Sequence, residues 1–290
     1  MTSGSFCFLD STFMKPIHTI AVIALSMLAA SASAQAIFHA DYEDGTVSSG
    51  YPTRGPNRVE VPGVEPGLAS ARDAAYVVVG GAHDTAYAVA NKVVLDDPAY
   101  VGGGFPRSEF GLGRIAGASY RDGDHGVYTF SMLLKDLVPS VKGTRKAPSE
   151  DVLWQFKHHG GGHDIHLALQ GTQLKLGWGG NVHKMVVIDN VMPYVNQWID
   201  FRFDILWKSD NTGDLTFEMK LPGETGLGHT VAMEGLQTYV TASPDGTPWT
   251  GIGSVQYGVY RNGANSAAGD TKTLIVYHDE VTATNFTAKP

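Results

Sequence analysis

Val255-Gln256-Tyr257-Gly258-Val259-Tyr260 alternates apolar and polar positions with a period of two, and Phe201-Arg202-Phe203-Asp204-Ile205 does the same. Successive side chains that point to opposite sides mark a strand with one face on a core. Working outward, strand-like runs cover Ala74 to Val79, Gly126 to Leu134, Val152 to Lys157, Ile165 to Leu169 and Gln173 to Trp178. They continue at Lys184 to Ile188, Trp198 to Trp207, Leu215 to Lys220, Ser254 to Tyr260 and Thr273 to His278. Turn signals such as Asp122-Gly123, Gly179-Gly180-Asn181 and Asn211-Thr212-Gly213 separate them. Only Asp84 to Lys92, with Asp84 as N-cap, reads as helical. About ten strands without a long helix predict an all-β fold: a jelly-roll sandwich of two antiparallel sheets with a concave groove. No Pro- or Ser-rich linker and no internal repeat interrupts the chain, so residues 35–290 read as a single domain.

The first 34 residues read as an export signal. Met14, the expected start, precedes Lys15, an apolar run from Ile20 to Ala30, and the small-residue cleavage site Ala32-Ser33-Ala34. That run is short for a membrane span, so the expectation is a secreted or periplasmic bacterial protein, free of the membrane after cleavage. The sole cysteine, Cys7, falls in the removed segment, which excludes disulfides and cysteine nucleophiles from the mature chain. With 29 acidic against 21 basic residues the net charge is -8, and no basic run offers a nucleic-acid footprint. The charge is uneven, however. Residues 105–121 hold three arginines against one glutamate, and residues 152–185 hold three lysines and five histidines against one aspartate. A locally cationic groove for an anionic partner is compatible with an acidic chain. The 35 glycines, nearly twice the roughly 7% usual share, fit many tight turns.

Alternation also assigns faces. Val152, Trp154 and Phe156 are expected on the core, leaving Gln155 and Lys157 side by side outside. Ile165, Leu167 and Leu169 point inward, so His166 and Gln170 point out. Val255, Tyr257 and Val259 take the core face, and Gln256, Gly258 and Tyr260 share the other. Arg202 and Asp204 also face outward. Gly258 beside Tyr260 is read as a place where a bulky ligand meets the backbone.

Three segments carry a resemblance. Arg107-Ser108-Glu109-Phe110 resembles an R-[ST]-E strand motif, Trp154-Gln155-Phe156-Lys157-His158 a Q-x-H strand, and Gln256-Tyr257-Gly258-Val259-Tyr260-Arg261 a K-x-G-x-Y-[NR] strand. In this order they resemble the concanavalin-like jelly-roll polysaccharide lyases, a group that includes glucuronan lyases, alginate lyases and heparin lyase I-like enzymes. Phe38 to Gly45 and Val276 to Val281 resemble the first and last strands of that fold. The resemblance implies β-elimination on a uronic-acid polymer. Charge that develops as the C5 proton leaves must be absorbed by donors or cations, for which Gln155 and Arg107 are the candidates. Tyr260 can act as base and acid if neighbouring cations lower its pKa. His166 is a further catalytic candidate; Lys157, His158, Gln256 and Glu109 are candidates for substrate binding, Glu109 by orienting Arg107.

The chain departs from the pattern at two places. Lys157 stands where the motif has histidine, with His158 one residue on, and Ser254 and Gln256 replace a tyrosine and a lysine of the last motif. A bulge at the His158-His159-Gly160 turn is one way to bring a histidine into the groove, and His166 is another. Together with the strand end Val259-Tyr260-Arg261, these departures favour glucuronan, then alginate, as substrate of an endo-acting enzyme. The run His158, His159, His163, Asp164, His166 resembles a metal cluster, although its turn-like setting suits a zinc site poorly. The resemblance also implies a structural calcium held by Glu43 and Asp279, with no organic cofactor and a monomeric enzyme. Two other classes stand beside the lyase. A glycoside hydrolase needs paired carboxylates about 5 to 10 Å apart, and the chain has no E-x-D-x-x-E run. A non-catalytic sugar-binding module would tolerate loss of the Tyr260 hydroxyl.

Overall fold

The computed structural model describes residues 38–51, 70–113, 115–140, 150–158 and 161–286. The expected signal segment, His159 and Gly160 lie outside the described residues. The strands are β1 (Phe38–Ala40), β2 (Ala75–Val79), β3 (Tyr87–Val94), β4 (Val101–Gly102), β5 (Phe105–Gly111), β6 (Ser119–Tyr120), β7 (His125–Lys135) and β8 (Glu150–His158). They continue as β9 (His163–Gln170), β10 (Gln173–Trp178), β11 (His183–Ile188), β12 (Ile199–Leu206), β13 (Gly213–Lys220), β14 (His229–Leu236), β15 (Gly253–Asn262) and β16 (Thr273–Phe286). The first sheet runs β14-β13-β12-β7-β16-β3-β2, with β1 also on β16. The second runs β11-β10-β9-β8-β15-β5-β4, with β6 also on β15. Neighbouring strands are antiparallel, as expected for a jelly roll.

The core lies between the sheets and is aromatic at its centre. Phe130 of β7 stacks flat on Trp154 of β8 with ring centroids 3.9 Å apart, and Trp154 stacks in turn on Tyr257 of β15 at 5.6 Å. Near one end Trp207 stacks on Tyr120 at 3.7 Å and donates its indole N–H to the Tyr128 hydroxyl. Burying each such ring contributes on the order of 2–3 kcal/mol, although the buried Trp154 indole N–H has no hydrogen-bond partner among the described residues. One buried ion pair ties the second sheet to the loop before β16. The Arg261 Nε–H donates to Asp151 Oδ1 at 2.9 Å, and the same guanidinium donates to the Thr271 carbonyl.

Several sequence expectations are corrected. The segment read as helical holds a short 3-10 turn at Ala82–Asp84 followed by strand β3, because Ala88, Val89, Ala90 and Val93 are buried by pairing with β2 and β16. A register shift between Val152 and Trp154 turns β8 over. Leu153 joins Trp154 and Phe156 in the core, and Val152 lies opposite Tyr260 instead. Arg202 and Asp204 do face outward, but from β12 of the first sheet, where Arg202 pairs with Asp204 and Glu218. At Gly258 the close approach is made by the protein itself: a Cβ there would stand 2.2 Å from the Ser108 carbonyl oxygen and 2.9 Å from Glu109 Cα. Arg261, completely buried, pairs with Asp151 inside the scaffold and is not itself exposed to a sugar.

Candidate active site

Pairing register fixes which side chains share the outer face of the second sheet. Directly opposed residues in antiparallel strands point the same way. One row therefore runs Lys184, Gly177, His166, Gln155, Gln256, Gly111 from β11 to β5. A second runs Lys175, Ala168, Val152, Tyr260, Arg107 from β10 to β5. Glu109 lies opposite Gly258 between these rows, and Lys157 lies opposite both His163 and Ser254 beyond the first. Motif residues more than a hundred positions apart in the chain are thus gathered on one face.

Their contacts are specific. The Gln155 Nε2 donates to Glu109 Oε1 at 2.6 Å and lies 3.4 Å from Gln256 Oε1. Arg107 Nη1 is 3.9 Å from Glu109 Oε2, and the guanidinium sits 4.3 Å from the Tyr260 ring centroid in a cation–π contact. Phe105, itself exposed, meets Tyr260 edge-on at 5.6 Å. Among the described residues no protein group hydrogen-bonds the buried atoms Arg107 Nε, Glu109 Oε2 or Gln155 Oε1. Buried polar atoms left without partners are rare in a finished core, and three on one patch mark a surface that a polar ligand completes.

The charges on this face perturb one another. Burial raises the Glu109 pKa, against the pull of Arg107 and the Gln155 hydrogen bond. Burial lowers the Lys157 pKa; Glu109 opposes that and Arg107 adds to it. Burial also raises the Tyr260 phenol, while the Arg107 charge works the other way. Perturbed groups gathered on one surface are what acid–base chemistry requires.

Not every expected site residue belongs there. His158 points to the opposite face of β8 from Gln155 and Lys157 and is fully buried. Its Nδ1 meets the Gly251 carbonyl at 2.9 Å, and its Nε2 lies 3.0 Å from Asp164, which accepts from the Tyr120 hydroxyl and the Val240 N–H. His158 is therefore an internal clamp on the loop before β15, and no substrate reaches it. His166 is on the expected face but only 1% exposed, packed against the His163 ring at 4.2 Å with Nε2 3.6 Å from Glu150. It braces its neighbours and is not open to a sugar. The histidine run also cannot chelate one ion, since His163 and His166 lie on one face and His158 with Asp164 on the other. Among the described residues no three His, Cys, Asp or Glu side chains gather as a metal site.

The calcium expectation finds no fitting donor set. Glu43 accepts from the Ala86 and Tyr87 N–H groups, and Asp279 accepts from the Ala82 N–H, the Thr85 hydroxyl and the Glu280 N–H. The two carboxylates cap one turn, whereas a calcium ion needs six to eight oxygens free to face it. Sequence motifs do not reveal Gly177, Glu150, Lys184, Phe105 or the place of His163. The signal for His163 was its position across the hairpin from Lys157.

The sequence matches the family model described as Polysaccharide lyase over residues 70–282. No curated protein matches it. Among solved structures, the fold resembles endo-beta-1,4-glucuronan lyase from the fungus Trichoderma reesei, with TM-score 0.54 and 18% identity over 86% of this chain and 95% of that one. It also resembles the alginate lyase from Klebsiella pneumoniae, with TM-score 0.52 and 11% identity over 86% of this chain and 100% of that one. At such identities these likenesses speak for the jelly-roll fold. The family match says more, because residues 70–282 contain every member of the Arg107, Glu109, Gln155, Lys157 and Tyr260 cluster. The chain belongs to the polysaccharide lyase family.

Proposed function

We propose that this lyase cleaves a glucuronan-like β-1,4-glucuronate polymer by β-elimination at the Arg107–Gln155–Tyr260 patch, acting endo, with alginate as the second candidate. The carrying observation is the Gln155–Glu109 hydrogen bond with Arg107 and Lys157 beside it. It sets amide and cationic donors where a uronate carboxylate can share its charge as the enolate-like state forms. Tyr260 takes the C5 proton, the C5–H electrons form the C4–C5 double bond, and the C4–O4 bond breaks. In a β-1,4-glucuronate H5 and O4 lie on the same side of the ring, so the same phenol can return the proton to O4. No second acid is needed, which suits the buried state of His166 and the replacement of the motif histidine by Lys157. We read the enzyme as a monomer exported through its first 34 residues. Among the described residues no helix is long and apolar enough to cross a membrane.

The test is incubation with glucuronan, alginate, heparin and ulvan while the ultraviolet absorbance of the unsaturated uronate is followed. A rise with glucuronan, and early products of mixed length, is expected. No rise with any polymer refutes the reading, and new reducing ends without absorbance would indicate hydrolysis. Tyr260→Phe should abolish turnover and keep polymer binding, which separates a lyase from a binding module.

A further inference from the structure

The outer face of the second sheet continues past the motif residues onto β9, β10 and β11, and there it becomes basic. Lys157 faces His163 across the β8–β9 pair, His163 packs on His166, and Lys184 stands across Gly177 from His166. Gly177 makes this packing feasible, since a Cβ there would lie 2.0 Å from His166 Cε1. One carboxylate serves its β9–β11 end. Glu150 is 2.8 Å from Lys184 Nζ and 3.6 Å from His166 Nε2. Among the described residues no carboxylate lies within ion-pair distance of Lys157, and the His166 Nδ1 is buried without a hydrogen-bond partner. Two lysine charges and two imidazoles thus share this half-buried face with Glu150 at one end and Glu109 on the Lys157 side, and no carboxylate closes on Lys157.

We propose that His163 and Lys184, beyond Lys157 at the edge of the cleavage site, form a second carboxylate-binding subsite, for a uronate of the same chain beyond the one being cleaved. This rests on the polyuronate reading above and deepens it. From Gln155 on β8 to Lys184 on β11 is three strand spacings, about 14 Å, a span of a few sugar rings. A neutral sugar offers these groups only hydroxyl acceptors and no charge, so the subsite favours a uronate over a neutral sugar on this side of the cut. The groups facing His163 are Lys157, His166 and Lys184, with Asn181 as a hydrogen-bond partner and Glu150 behind His166 and Lys184. Burial and those basic neighbours hold the free imidazole well below its ordinary pKa. An arriving carboxylate reverses that balance, so binding draws a proton onto His163.

The experiment compares His163→Gln, Lys184→Gln and Lys184→Arg with the parent on glucuronan and alginate, in kinetics and, in the Tyr260→Phe background, by calorimetric binding. Each glutamine variant should raise KM and Kd about tenfold with kcat within about twofold, the loss of one partly buried charged contact. Lys184→Arg should restore both constants, which a folding defect would not allow. Calorimetry near pH 6.5 in buffers of different ionisation heat should show proton uptake that His163→Gln removes. If the parents cleave and bind a polyuronate and both glutamine variants stay within twofold, the subsite is overturned and the lyase reading stands. If the parents bind neither polyuronate, both fall together.

Discussion

Gln155 and Glu109 sit on strands that do not touch, with β15 between β8 and β5, yet the Gln155 Nε2 donates to Glu109 Oε1 at 2.6 Å. The bond crosses the intervening strand above the Gly258 backbone, where Glu109 has no opposing side chain to displace. Because an ionised carboxylate only accepts, it fixes the amide with its NH2 toward β5. The second N–H, 3.4 Å from Gln256 Oε1, is at the weak end of hydrogen bonding. That is the N–H left for a substrate carboxylate in the proposed reaction.

Gln155→Ala should therefore cost about 10²–10³ in kcat with a modest change in KM, the usual effect of removing one donor to developing charge. Gln155→Glu should be worse. It sets two carboxylates against each other in a buried place and repels the substrate as well. Steady-state kinetics on glucuronan, with melting curves for folding, checks both. If Gln155→Glu keeps more than a tenth of the activity, the amide is not the charge acceptor.

The pH dependence follows from Tyr260. Burial places its phenol above the ordinary tyrosine value while Arg107 pulls it back. The base form is scarce at neutral pH, so kcat/KM should climb with pH from the neutral range into the alkaline one. Arg107→Gln removes the opposing charge. Its rising limb should move to higher pH, and its rate at neutral pH should fall about tenfold or more. A flat profile between pH 7 and 9 in the parent would exclude Tyr260 as the base.

Much of this site was legible in the sequence because period-two alternation needs no tertiary information. Gln155 and Tyr260 share a face for the same reason that Trp154 and Tyr257 share the core. Alternation fails where the register slips: it puts Val152 in the core, whereas Leu153 takes that place and Val152 lies opposite Tyr260. It also cannot say which sheet an outward residue faces from. Arg202 and Asp204 look the same in sequence as Arg107 and Glu109, yet they belong to the other surface of the sandwich. Glu43 and Asp279 both accept from the turn at 82–87, and what each oxygen accepts there is something the sequence does not specify.

Gly258 distinguishes a backbone demand from a ligand demand. Its φ is +137°, a conformation that other residues seldom adopt, and its missing Cβ is replaced by the Ser108 carbonyl. Gly258→Ala should destabilise the fold by about 2–4 kcal/mol, through strain and displacement of β5. Chemical denaturation measures this directly. A variant with native stability and lost activity would return Gly258 to the role of a ligand contact.

Acid stability should be governed by His278. The ring is fully buried between Phe130 and Tyr257, and burial lowers its pKa to about 3. The unfolded chain takes up a proton near pH 6.5 and the folded chain does not, so the folded state loses about 1.4 kcal/mol for each pH unit from 6.5 down to about 3. Above pH 6.5 the group contributes no pH dependence, because it is neutral in both states. His163 and His166, both lowered by burial, add to the same acid limb. His278→Leu keeps an apolar side chain of similar volume in the core and has nothing to protonate. Its acid unfolding midpoint, followed by tryptophan fluorescence, should move to lower pH even if its stability at pH 7.5 is somewhat reduced. An unchanged slope of stability against pH between 4 and 6 would assign the acid limb to the outer-face histidines instead.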